Sequence, residues 1–492
     1  WVAPEPSKRL PKPEPRGDGT VHPELRERDG LMTTNVSLPA LVGRHEGKTT
    51  RRTPGTPAAF TFAELFAGIG GFRQGLEALG GECVFANEMQ PECCAAYRRN
   101  YSEEREAGPG ESSSGLCEGD IRLVADADIP PHDILVGGFP CQPFTAAGLQ
   151  PGLGAAGGGG SLFLEIVRIL WACRPRAFLL ENVPGLLSCD GGRAFATILE
   201  SLEGAGYQVH SETVNARCLT AQSRNRLYII GFRADDDAEG STSSVEAGRT
   251  FSFPFIPDLG LRAADILQSD EELAGGGLPS AESYTLTDTQ FERLRQSHSW
   301  KTGGPNKLAW GNKVCRTLIS NYGANVGNGN SQLVPRSPPH HPRRFTPREC
   351  ARLMGFPDAA IELGRPGMKE CRQHEEEEEG GRGEGEEVEG QQDTQCGDAS
   401  RSTAAWFRNW YRILGNAVCP PVIAALGGAI LDHCPDIAGE RSGILADASG
   451  LATEGHSAPV DSRGGGEGAV GWREAGRIAA VRLALGAVVP VR

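Results

Sequence analysis

The sequence predicts an α/β fold: a mostly parallel, doubly wound sheet covered by helices on both faces, with a smaller irregular domain following it. Three observations carry this. Between Phe60 and Arg233, short apolar runs alternate with helical patterns, and strands alternating with helices imply a largely parallel sheet. The first run ends in glycines and the second in an acid, at the spacing of a nucleotide-binding strand pair. Residues 251 to 342 then carry Gly, Asn and Pro with few long periodic stretches, which marks an irregular unit.

Taken in order, residues 1–57 are rich in Pro, Arg and Glu without apolar periodicity and read as a disordered tail. The predicted strands are Phe60–Phe66, Cys83–Ala86, Ile134–Val136, Ala177–Leu180 and Leu227–Phe232. Residues 234–250 are acidic and Ser-rich, a linker. A Glu/Gly tract follows within an insertion at 369–402, a helical pattern returns at Pro421–His433, and 437–492 reads as a second disordered tail with a short helix at Ile478–Val491.

Composition narrows the setting. The 492 residues carry a net charge of −14, unevenly spread. Residues 369–392 hold ten Glu against Lys369, Arg372 and Arg382, whereas 290–348 hold ten Lys plus Arg against Glu292 alone, a balance of +9. A basic stretch in an acidic chain suits phosphates; a solvated Arg-rich loop would look the same. The fourteen Cys show no Cys-x-x-Cys pair, so reduced thiols, no structural zinc and an intracellular setting are expected. No secretory signal is read at the amino end, and Val422–Leu431 is far short of a membrane span of about 18 residues, so the protein reads as soluble.

Two segments carry candidate chemistry. Phe62-Ala-Glu-Leu-Phe-Ala-Gly-Ile-Gly-Gly-Phe72 runs from a strand into a helix, and Gly68, Gly70 and Gly71 allow the backbone to turn tightly against a nucleotide-like ligand. Glu88, ending the second strand, can accept from a ribose diol; a plain strand-to-helix turn would show the same glycines. Asp133-Ile-Leu-Val-Gly-Gly-Phe-Pro-Cys-Gln-Pro-Phe144 sets Cys141 between two prolines at a strand's carboxyl end, where open α/β sheets bind ligands. Most cysteines are inert hydrophobes, but Glu181 at the next strand end and Arg224 and Arg226 before the last strand converge on that edge. Each has a bland reading, as a capping acid and a pair of solvated arginines.

In order along the chain, Phe66-Ala-Gly-Ile-Gly-Gly71, Asn87-Glu88, Gly119-Asp120-Ile121, Pro140-Cys-Gln142, Glu181-Asn-Val183, Gln222-Ser-Arg-Asn-Arg226, Arg343 to Pro357 and Gly415-Asn-Ala417 resemble the motifs of the cytosine-5 DNA methyltransferases. The resemblance implies a Rossmann-like class I methyltransferase fold. Its S-adenosylmethionine-binding catalytic domain would span 58–235, completed by 404–436, with a target-recognition domain at 251–342 and a joining motif at 343–358. It implies that the thiolate of Cys141 adds to the 6-carbon of cytosine, that Glu181 holds ring N3, that Arg226 grips the 2-oxo group and that Arg224 aligns the pocket or the backbone. On the cofactor side it implies Phe66 against adenine, Gly68, Gly70 and Gly71 near the amino-acid part, Glu88 on the ribose and Asp120 and Ile121 at the adenine edge, with Leu162 and Asn416 contributing. No metal is implied. The expected partner is double-stranded DNA with a flipped target base, bound by a monomer, in the nucleus if eukaryotic and otherwise in the cytoplasm. Trp300, Trp310 and the turns around Tyr322 are expected to read bases.

The chain departs from the family pattern at Gly157–Gly160, which precede Ser161-Leu-Phe163, and at Leu219-Thr-Ala-Gln222, a change expected to be structural. Thr145 stands where many DNA enzymes carry Ser, which keeps a transfer-RNA cytosine-5 methyltransferase open as an alternative. A non-catalytic nucleic-acid-binding relative is the other.

Overall fold

The computed structural model describes residues 58–101, 115–140, 160–234, 250–256, 258–275, 280–303, 308–309, 311–322, 332–358, 360, 409–438 and 480. Cys141, Thr145, Trp310, the 369–402 insertion and nearly all of both predicted tails lie outside them.

Seven strands form one sheet: β1 (Phe60–Leu65), β2 (Gly81–Glu88), β3 (Leu116–Glu118), β4 (Ile134–Gly138), β5 (Ala177–Asn182), β6 (Tyr207–Asn215) and β7 (Asn225–Arg233), in the order β3-β2-β1-β4-β5-β7-β6. Every pairing is parallel except those of β7 with β5 and β6. Residues along β5 are buried without exception, as a strand covered on both faces requires. Alternate residues feed two separate cores. Phe62, Val136, Leu179 and Ile230 face one, and Leu65, Leu135, Phe178, Leu180 and Ile229 the other.

Helices α1 (Gly71–Glu77), α2 (Pro91–Tyr101), α3 (Gly160–Cys173) and α4 (Arg193–Gly204) wrap the sheet. The second core is closed by Phe163, Ile166 and Leu170 of α3 and by Ile198 and Leu202 of α4. Beyond the sheet, α5 (Asp288–Gln296) starts at a Thr287–Gln290 capping box. Helix α6 (Pro347–Met354) has every stop and start signal of its own: Thr346 as N-cap, Pro347 in the first turn, Glu349 at the third position and Gly355 at φ 83° as terminator. Helix α7 (Pro420–His433) returns to lie on α1. A Cβ on Gly75 would fall 2.7 Å from Ile423, and one on Gly427 2.8 Å from Leu76, so both glycines are needed for this contact.

Residues 409–433 together are long and apolar enough to cross a membrane, with mean hydropathy 1.7, which the shorter Val422–Leu431 run does not indicate. Their burial explains the composition: α7 is a core helix with Val422, Ile423, Leu426 and Ile430 fully enclosed.

The described residues of 251–334 hold short helices, isolated bridges and the two-residue strand Cys315–Arg316, which pairs in parallel with Gln222–Ser223, rather than a sheet of their own. Phe251, Ile266, Leu318 and Tyr322 share the first core with the α7 side of the sheet, while Leu286, Leu294 and Leu333 make a small separate cluster.

Candidate active site

The carboxyl ends of β1, β2 and β3 form one half of the site. Phe66, following β1, takes φ 55°, a left-handed conformation that a bulky residue adopts only where its surroundings enforce it. Gly68 and Gly70 are left-handed too, at 58° and 81°. The glycines serve different ends. A Cβ on Gly68 would meet open space, whereas one on Gly70 would collide with the Tyr101 ring and one on Gly71 with Val418 beside α7. Only Gly68 therefore faces a vacant surface; Gly70 and Gly71 are required by packing.

Glu88 is buried at the end of β2. Its Oε2 accepts from the Gly68 N–H at 2.8 Å, and Oε1 from the N–H groups of Met89 and Gln90 at 2.9 and 2.8 Å. A carboxylate has about four acceptor positions, so one remains. Beside it, Asn87 donates to the carbonyls of Cys117 and Gly119 and ties β2 to the turn holding Asp120. The Asp120 side chain caps its own turn through Arg122 N–H and is ion-paired with the Arg122 guanidinium. Ile121 is buried in the second core, so its side chain offers no free surface. Leu162 is half-buried against the same core, and Asn416 is exposed at the end of the helix at 409–416.

The other half lies at the ends of β4, β5 and β7. Strand β4 ends at Gly138, opposite Glu181 in register, and a Cβ there would lie 3.6 Å from Glu181 Oε2. Cys141 itself is three residues further on, outside the described residues. Asn182 Nδ2 donates to Phe139 O at 3.0 Å, fixing the chain that leads to it.

Glu181 is buried, and Arg226 Nε lies 3.0 Å from its Oε1. That oxygen has no hydrogen bond of good geometry, so the two are an ion pair rather than a locked fork. Burial raises the affinity of Glu181 for its proton, and Arg226 and then Arg224 oppose the rise; the net direction is upward.

Arg224 is 1 % exposed; among the described residues its guanidinium donates to no carboxylate, although its charge acts on the nearby Glu181 carboxyl group. Its guanidinium donates to Leu318 O (2.8 Å), Gly415 O (3.0 Å) and Ala417 O (2.8 Å), three carbonyls from distant segments. Spaced two residues apart on an extended segment, Arg224 and Arg226 do point into the protein together, but neither is a solvated arginine. Gln222 works alongside: its Nε2 donates to Leu353 O and its Oε1 accepts from Leu318 N–H. Thr220, in the segment that departs from the family pattern, is buried and donates to Ala216 O at 3.0 Å.

Of the segment expected to read bases, Trp310 and residues 323–331 of the turns around Tyr322 lie outside the described residues. Tyr322 is buried, donating to Gln332 O and accepting from Phe345 N–H, and is a core residue. Trp300 is half-buried, edge-on to Phe291. Among the described residues no group of three or more His, Cys, Asp or Glu is placed to hold a metal, and the described cysteines are free thiols.

Sequence reading quoted Asn182 and Gln222 within motifs without giving them a role, and passed over a buried polar chain under the glycine turn, Glu64–Tyr97–Arg73. Within that chain Glu64 alone left a sign, as an acid inside the apolar run Phe60–Phe66.

The chain is similar to several curated proteins. It is 35% identical over 304 residues to the type II methyltransferase M.NlaX of Neisseria lactamica, covering 61% of this chain and 86% of that protein. It is 34% identical over 306 residues to M.DsaV of Dactylococcopsis salina, covering 61% and 77%. To the DNA-cytosine methyltransferase of Escherichia coli K12 it is 31% identical over 343 residues, covering 61% and 70%. Residues 60–364, more than half of the chain and containing both halves of the site except the returning α7 segment, match the family of C-5 cytosine-specific DNA methylases, and the chain belongs to it.

Proposed function

We propose that this chain transfers a methyl group from S-adenosylmethionine to the 5-carbon of cytosine in double-stranded DNA, through a covalent adduct at Cys141. The observation that carries the reading is the buried Glu181–Arg226 pair, seated against Gly138, three residues before Cys141. The opposite half fits a nucleoside-bearing cofactor: Gly68 opens to space, Phe66 presents a partly covered ring, and Glu88 keeps one acceptor position. When bound, S-adenosylmethionine supplies the electrophilic methyl carbon that the activated ring carbon takes up.

The chain's own residues do the rest. The 5-carbon of cytosine is a poor nucleophile until sulfur adds at the 6-carbon, and the thiolate is the attacking form. Two guanidiniums face one carboxyl group here, a positive balance that favours an anion. Glu181, whose proton is held by burial, donates to ring N3 as charge develops there, and Arg226 holds the 2-oxo group. Arg224 has all its described hydrogen bonds committed to carbonyls, so it positions Arg226 and the Gly415–Ala417 turn rather than touching the base. Loss of the 5-proton lets Cys141 depart. The target base must leave the duplex stack, at a cost of a few kcal/mol, which phosphate contacts help offset. The protein works as a monomer inside the cell.

Duplex DNA carrying 5-fluorocytosine provides the test. Wild type should form a covalent complex that survives denaturation, and Cys141→Ser should not, while still binding S-adenosylmethionine. An adduct in the mutant would overturn the assignment. Supplying tritiated cofactor with either mixed-sequence duplex or total transfer RNA should label the duplex; label in transfer RNA alone would make RNA the substrate.

A further inference from the structure

The glycine turn is backed by a buried polar chain that the reaction does not use. Tyr101, the last residue of α2, is buried, and its hydroxyl donates to Gly70 O at 2.7 Å. Its ring fills the place a Cβ on Gly70 would take. The same carbonyl receives the Gln74 N–H, so the Tyr101 contact sits where the turn becomes α1.

Tyr101 is held in its turn. The Arg73 guanidinium lies 4.3 Å from the centroid of the Tyr101 ring and 5.6 Å from that of Tyr97, a cation over two aromatic faces. Arg73 donates to the Tyr97 hydroxyl at 3.3 Å, and Tyr97 donates to Glu64 Oε2 at 3.2 Å. The other Glu64 oxygen receives the Arg73 N–H at 3.4 Å, closing a ring of contacts between β1, α1 and α2. Glu77 of α1 pairs with Arg73 at 2.6 Å, and Cys83 of β2 lies 3.7 Å from the Tyr97 hydroxyl.

A turn containing left-handed Phe66 persists only if its surroundings over-determine it. Neighbouring Gly68 opens to space, so contacts behind the turn decide its shape. We propose that Tyr101 is a positioning residue for the methyl-donor half of the reaction: it holds the Phe66–Gly70 turn in the form that receives the cofactor, and the Arg73–Tyr97–Glu64 chain holds Tyr101. This rests on the cofactor reading above. Burial pushes the Glu64 carboxyl up to about 8 against the opposing pull of Arg73, so its charge changes near neutral pH. The groups facing it are Arg73, Glu77, Cys83 and Tyr97, with Tyr101 beyond.

Tyr101→Phe keeps the ring on Arg73 and removes only the hydroxyl. Calorimetry should show S-adenosylmethionine binding weakened about fivefold, the worth of one neutral hydrogen bond. The KM for the cofactor should rise to match, with kcat and the KM for DNA within about twofold of wild type, a split that loss of scaffold strength does not produce. The ratio of cofactor affinities of wild type and Glu64→Gln should change between pH 7 and 9. Unchanged cofactor affinity in folded Tyr101→Phe, or equal rises in both KM values, would overturn the proposal. So would a pH-independent ratio, for the Glu64 end of the chain. Wild type that fails to bind S-adenosylmethionine would instead overturn the proposed function.

Discussion

Glu88 shows how one side chain can serve fold and site together. Three backbone N–H groups end on its carboxylate, so Glu88→Ala orphans them as well as removing the acceptor proposed for the ribose. The expected result is cofactor binding weakened by about 1–3 kcal/mol and a lowered melting temperature, since a buried unpaired donor costs about as much. Calorimetry and thermal melts separate the two; unchanged affinity would leave Glu88 structural only. Glu64 gives a pH dependence of definite sign. Its folded value of about 8 exceeds its ordinary 4.5, so between those values the unfolded chain releases a proton that the folded one keeps. Stability from this group therefore falls as pH rises through that window, at up to roughly 1.4 kcal/mol per unit. Relative to wild type, Glu64→Gln should gain stability from pH 5.5 to 8 in urea titrations; a constant difference would contradict the burial argument. Glu88, Glu181 and Arg226 stand at or next to strand ends, where the sequence pattern locates them, whereas Leu162 and Asn416 lie in helices and Cys141 lies outside the described residues. What Arg224 does was not legible in sequence, because three carbonyls from residues 318, 415 and 417 carry no signal in local sequence.

Among the elements, β1, β2, β4, β5 and β7 appear where the apolar runs place them, and α7 begins one residue before its predicted start. Strands β3 and β6 went unread for different reasons. β3 has three residues, too few for a pattern, and β6 is an edge strand whose exposed Gln208 and Glu212 interrupt any apolar run. Helix α6 was seen only as a motif, and its purpose is clearer in three dimensions. Glu349 accepts from Thr346 N–H at 2.9 Å, from Gln268 N–H at 2.9 Å, and from Arg343 through two bonds of 2.7 Å. Both partners of the Arg343–Glu349 pair are buried, so breaking it strands a charge. Glu349→Gln should destabilise the protein by about 3–5 kcal/mol, measured by chemical denaturation. A loss below about 1 kcal/mol would mean that the neighbouring contacts alone hold α6.

At the scale of the whole molecule, charge is distributed less simply than counting along the chain implies. The +9 stretch ends at residue 348, one short of Glu349, and part of it is internal: Arg343 pairs with Glu349, Arg348 lies 3.6 Å from Asp358, and Arg336 pairs with Glu282. Among the described residues Arg293 and Lys301 are exposed, so the charge on offer to the phosphates of the proposed substrate is smaller than the count. The acidic tract raises the opposite question, because 369–392 carries a balance of −7 in a chain proposed to bind DNA. The segments on either side of it are fastened without its help. Met354 and Phe356 before it and Trp410, Tyr411 and Leu414 after it lie in one core, and the Tyr411 hydroxyl donates to Phe345 O at 2.6 Å. With almost no apolar residue, the tract itself has little to bury. Replacing residues 369–392 with a short Gly/Ser linker should therefore shift stability by no more than about 0.5 kcal/mol, the usual range for surface changes. Methyl transfer at low salt should persist, and DNA affinity should hold or tighten, since like charge near the phosphates is removed. Melting curves and a filter-binding titration on the variant decide it: loss of folding would make the tract structural, and weaker DNA binding would make it part of the interface.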